Sequence, residues 1–104
     1  MRITTNLVIT LILTGLAAWA ADAKAGQAVY TRACKSCHGA DGVAPAAITK
    51  MMKAEIKDLK ASVASHSDAD LKKIIVEGKG KMVATKGVTP ADIDNVIAYM
   101  HTLK

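Results

Sequence analysis

A chain that must build a core without phenylalanine is constrained before any motif is read. This sequence has no Phe, one Trp and two Tyr. Trp19 ends an apolar N-terminal run, so segment 21–104 keeps only Tyr30 and Tyr99 as large aromatics. Small domains bury a modest share of their surface and are marginal without a staple. A core so poor in large side chains invites a large apolar cofactor to fill it.

The N-terminus has the marks of an export signal. Met1-Arg2 is a minimal positive start, and an apolar run follows from Leu7 to Ala20, broken only by Thr10, Thr14 and Gly15. Ala18-Trp19-Ala20 fits a small-x-small cleavage site, and Ala21-Asp22-Ala23 is a second candidate. We read 1–20 as a cleaved signal peptide and 21–104 as one domain, exported to the periplasm. An uncleaved anchor is the competing reading, but the run falls short of the roughly 20 residues a bilayer span needs. No stable membrane insertion is expected after cleavage.

The formal charge of +5 drops by one with Arg2, and Arg32 is then the only Arg. Nucleic-acid readers favour Arg forks with aromatic stacking, so no nucleic-acid partner is expected. A lysine-based charge suits a weakly held partner steered by long-range attraction.

The periodicity predicts helices and no strands. A first helix is expected over Ala23 to Cys34, and a short one over Ala46 to Lys53 with Ile48, Met51 and Met52 as apolar positions. The stretch 54–66 is ambiguous. Ser67 with Asp70 forms a capping-box-like start for a helix striped by Leu71, Ile74 and Ile75, and Gly78 stops it. The last helix opens with Thr89, Pro90 and Asp92 and carries Ile93, Val96, Ile97, Met100 and Leu103 on one face, a core stripe.

Cys34-Lys35-Ser36-Cys37-His38 falls at the end of the first helix. Two thiols three positions apart can reach two vinyl groups on one porphyrin edge, and the adjacent His then lies under the ring. The spacing is the signature of c-type haem attachment. A thioredoxin-like pair would need a βαβ pattern, and none is visible. A zinc site would need four ligands, and the other two histidines are poorly spaced for it. A disulfide across two residues would do little to tether the fold.

Around this motif, the chain resembles the small monohaem class I cytochromes c of bacteria. The likeness runs from Ala25-Gly26-Gln27-Ala28-Val29-Tyr30 through Cys34–Gly39 and Gly78-Lys79-Gly80-Lys81-Met82 to Val96-Ile97-Ala98-Tyr99-Met100. The resemblance implies an all-α cytochrome c fold of about four to five helices around one covalently attached haem c. It implies that the first and last helices cross at Gly26, with Tyr30, Val96 and Tyr99 around the crossing.

It further implies axial iron ligation by His38 and Met82, and a hydrogen bond from the His38 ring to the backbone carbonyl of Pro45. Met82 follows a glycine-rich loop and belongs to no apolar stripe. Met100 is a core residue, Met51 and Met52 are expected to pack, and His66 and His101 are expected to be solvated. The family places Pro after its axial Met, whereas Val83 stands here, so a more labile iron–Met82 bond is expected.

The implied function is one-electron transfer between respiratory or other redox partners, a carrier rather than an enzyme. Lys35, Lys79, Lys81 and Lys86 are expected to form a rim that steers a partner with an acidic docking surface. Two alternatives share the motif. One is a cytochrome subunit of a larger redox complex. The other is a haem peroxidase or gas-binding protein with an open iron face.

Overall fold

The structure, a computed structural model, describes residues 21–104. The signal-peptide reading of 1–20 lies outside the described residues. Six helices follow in order: α1 (Ala23–Ala33), α2 (Lys35–His38), α3 (Ala46–Met52), α4 (Leu59–Ser65), α5 (Asp68–Glu77) and α6 (Pro90–Met100). Among the described residues there is no strand, only an isolated antiparallel bridge between Lys79 and Met82. Among the described residues no helix is long and apolar enough to cross a membrane.

The core is the α1–α6 crossing. Gly26 makes it possible: a Cβ there would overlap the Asn95 carbonyl and lie 2.9 Å from the Val96 nitrogen. Val29 and Tyr30 on α1 then bury against Ile93, Val96, Ile97 and Met100 on α6, with Leu71 and Ile75 of α5 and Leu59 of α4 closing the cluster. Tyr30 and Tyr99 stack at a tilt, their ring centroids 5.2 Å apart, a geometry that adds to simple burial. Asp22 caps α1 through its own side chain, and its backbone N–H donates to Asn95 Oδ1 at 2.8 Å, so the start of α1 is tied to α6.

The helix ends follow their sequence signals. Thr89 and Asp92 form both halves of a capping box, with Pro90 at the first helical position. Ser67 accepts from the Asp70 N–H, one half of such a box. Gly78 ends α5 at φ 80°. Leu103 lies beyond the end of α6 yet still packs on the core.

The helix count exceeds the expected four to five because two short elements are weak in the sequence. Cys34 breaks α1 at φ −123°, so the attachment motif forms its own turn, α2. Helix α4 occupies the ambiguous stretch. It shows one buried residue, Leu59, with Val63 half-buried one turn later, and that pair is too little periodicity to read. What fixes α4 is tertiary: the Leu59 N–H donates to the Gly42 carbonyl at 3.0 Å, and Asp58 caps its first turn.

Candidate haem-attachment site

The α2 turn presents the motif. The His38 N–H donates to the Cys34 carbonyl at 3.0 Å, and the Gly39 N–H to the Lys35 carbonyl at 2.8 Å. Both cysteines are free thiols, Cys34 half-buried and Cys37 exposed, which sets aside the disulfide reading. Burial pushes the Cys34 thiol above its ordinary pKa, with Arg32 opposing, so it is held as the neutral S–H. Among the described residues no three His, Cys, Asp or Glu side chains gather as a metal cluster, so the zinc reading finds no ligand set.

His38 has one ring nitrogen, the buried Nδ1, without a hydrogen-bond partner, a costly state for a polar atom. Burial also holds the imidazole below the ordinary histidine pKa. A neutral imidazole is the form that binds iron. Two free thiols beside a neutral imidazole are a donor set that fits a covalently held haem iron.

The expected hydrogen bond from His38 to Pro45 is not formed. Pro45 is the N-cap of α3, and its carbonyl accepts from the Ile48 and Thr49 N–H groups at 3.0 and 3.2 Å. As the N-cap residue, Pro45 gives its carbonyl to the first intrahelical bonds of α3. A different contact holds the exit of the motif. The buried Tyr30 hydroxyl donates to the Gly39 carbonyl at 2.5 Å. Tyr30 was legible as a packing residue only, because nothing in sequence spacing reports where its hydroxyl points.

Met82 sits half-buried in a tight turn. Lys79 and Met82 exchange both backbone hydrogen bonds, at 2.9 and 3.0 Å. Gly78 is required at the root, since a Cβ there would lie 2.5 Å from the Met82 carbonyl oxygen. No hydrogen bond joins this turn to Cys34–His38 among the described residues.

Met51 does not pack; it is 70% exposed. Met52 is half-buried, and Met100 is core as expected. His66 is not freely solvated but half-buried, its Nδ1 within 3.0 Å of the Ser62 carbonyl at the end of α4. His101 Nε2 lies 2.7 Å from Asp68 Oδ1, joining α6 to α5 at the surface. Lys81 does not join the free rim, because its ammonium is bound to two backbone carbonyls of the α3 terminus. Lys35, Lys79 and Lys86 remain exposed.

An all-helical domain that offers Cys-x-x-Cys-His from a turn at the end of its first helix defines a c-type cytochrome. Known proteins agree. The family model described as cytochrome c oxidase, cbb3-type, subunit III matches residues 21–100. Cytochrome c6 of Picosynechococcus sp. is 34% identical over 96% of this chain and 89% of its own length. Cytochrome c-554(547) of Halothiobacillus neapolitanus is 29% identical over 82% of this chain and all of its own. The solved structure named KustC0563 c-type cytochrome shares the fold at a TM-score of 0.62 and 24% identity, covering 76% of this chain and 96% of that one. The chain belongs to the cytochrome c family, whose members carry covalently bound haem c.

Proposed function

We propose that this protein is an exported carrier of single electrons, with 1–20 removed as a signal peptide and 21–104 working in the periplasm. Cys34 and Cys37 would hold the haem as thioethers, formed by adding each S–H across a vinyl group with no net redox change. His38 and Met82 would be the axial ligands. The bound haem iron supplies a one-electron couple, and a thioether ligand favours its ferrous state.

The protein's own residues set the conditions. The α2 turn orients His38, Tyr30 fixes the backbone that follows, and Pro45 ends the 39–45 loop by starting α3. Leu71, Ile75 and Val96 keep the adjoining core dry. The observation that carries the reading is the α2 turn, which sets the His38 imidazole beside two free thiols at the end of α1. Exposed Lys35, Lys79 and Lys86 suit an acidic partner, so the bimolecular rate should fall with ionic strength.

The test compares spectra of wild-type holoprotein and Met82→Ala in both oxidation states. Wild type should be low-spin and slow to bind carbon monoxide, and the variant high-spin and fast. A high-spin wild type would sink the carrier reading in favour of an open iron. The matched family description favours a second reading, a cytochrome subunit of a larger redox complex. Co-purification of the native protein with stoichiometric partners would distinguish it from a free carrier.

A further inference from the structure

Lys81 reaches from the Met82 turn to the end of α3. Its Nζ donates to the Met52 carbonyl at 2.8 Å and to the Lys53 carbonyl at 3.1 Å. Carbonyls at a helix C-terminus lack intrahelical partners and carry the negative end of the helix dipole, so a cationic donor suits them. Lys53 itself has φ 50°, the sole non-glycine residue in the left-handed region among the described residues. Such a conformation is strained for a side-chain-bearing residue and persists where its surroundings hold it. Lys81 grips this strained residue.

The contact matters because α3 has little else to fix it. None of its residues is fully buried. Among the described residues, the two bonds from Lys81 are the only hydrogen bonds linking α3 and its C-cap to a distant part of the chain. The Met82 turn is firm on its other side. Gly78 roots it on α5, Lys79 closes it, and the Thr85 N–H returns to the Ile75 carbonyl at 2.9 Å. Val83, directly after Met82, is 81% exposed and braces nothing.

We propose that Lys81 is a positioning residue for the sulfur of Met82. By clamping the turn to α3, it limits the opening through which an outside ligand would replace Met82. It performs the stiffening that a proline at position 83 would otherwise supply. The inference rests on the reading of Met82 as an axial ligand.

The test uses ferric holoprotein and two readouts, the iron–sulfur charge-transfer band and the rate at which imidazole displaces Met82. Lys81→Met keeps the alkyl chain and removes the donors. It should speed displacement about tenfold, the scale expected for losing charged hydrogen bonds to carbonyls. Lys81→Arg, which keeps donors, should stay near wild type. Lys79→Met removes an equal charge nearby without touching the clamp and should also stay near wild type. The clamp is overturned if Lys81→Met lowers the melting temperature but leaves displacement at the wild-type rate. It is equally overturned if Lys79→Met speeds displacement as much. Met82→Ala separates the two ideas. If it keeps the wild-type sulfur band, Met82 ligation itself is wrong; if it loses the band while Lys81→Met changes nothing, only the clamp is wrong.

Discussion

The Tyr30 hydroxyl donates to the Gly39 carbonyl and so ties the centre of the α1–α6 core to the residue after His38. Tyr30 is 1% exposed, and burial pushes its pKa up to about 12. Tyr30→Phe should cost about 1–2 kcal/mol, the net value of the bond plus part of the penalty for an under-satisfied carbonyl. The pH dependence follows from the same shift. The folded pKa lies above the unfolded one, so this stability is fully present below about pH 10. It declines as pH rises towards about 12, because the unfolded chain releases the proton first. Urea unfolding across that range should show a steeper alkaline loss in wild type than in Tyr30→Phe.

Much of this arrangement was open to sequence reading, for a physical reason. Helix ends announce themselves locally: Thr89, Pro90 and Asp92 sit where the capping box forms, and Gly78 where positive φ is needed. The α6 stripe follows from period 3.6. What stayed hidden depends on distant partners. Helix α4 is held by Leu59 meeting Gly42, and Lys81 finds α3 across 28 and 29 positions of chain. The Pro45 carbonyl takes the first N–H groups of α3, a use that sequence spacing did not report. The Cys34-x-x-Cys37-His38 motif was legible because its spacing is written in five adjacent positions.

Gly26→Ala should be among the most damaging single changes. The added Cβ would overlap the Asn95 carbonyl, which is backbone inside α6 and cannot swing aside. Relief requires moving α1 away from α6 and opening the contacts of Val29 and Tyr30. Overpacking costs about 1–3 kcal/mol where neighbours are flexible, and backbone against backbone belongs at or above the top of that range. Against the roughly 0.05–0.15 kcal/mol per residue by which proteins are stable, that is a large share for so short a domain. Circular dichroism during urea titration should show an earlier midpoint; an unchanged midpoint would mean that the helices are not in contact at Gly26.

The start of α6 separates a strong local effect from a weak ionic one. Thr89 Oγ1 accepts from the Asp92 N–H at 3.1 Å, and Asp92 Oδ2 accepts from the Thr89 N–H at 3.0 Å. The same Asp92 oxygen lies 3.6 Å from Arg32 Nη2, whose side chain is 54% exposed. Thr89→Ala should cost about 1 kcal/mol, the usual value of a lost N-cap. Arg32→Met should cost less through the ion pair, since exposed pairs contribute roughly 0–1 kcal/mol. Arg32 also donates to the Gly87 carbonyl at 2.9 Å, so some of its cost will persist in high salt. Denaturation at low and high ionic strength checks this: the Thr89→Ala cost should not move with salt, and the Arg32→Met cost should shrink only in part.

Val83→Pro should stabilise the protein. Proline needs a position whose amide is not hydrogen-bonded and a preceding residue that is extended. Val83 makes no backbone hydrogen bond as donor among the described residues, and Met82 before it is bridged antiparallel to Lys79. At 81% exposure, the valine side chain gives up little packing. A compatible proline removes freedom mainly from the unfolded chain, worth about 0.4–1 kcal/mol. On the proposed ligation by Met82, the same stiffening should slow its displacement by imidazole and recover part of what Lys81→Met loses. Lys81 and a proline at position 83 would brace the same turn, so the two effects should be less than additive. Urea midpoints and imidazole displacement rates for the two single variants and the double variant measure both quantities. Full additivity would show that Lys81 and Val83 act on separate motions, and a destabilised Val83→Pro would show that the backbone at 83 departs from the angles proline requires.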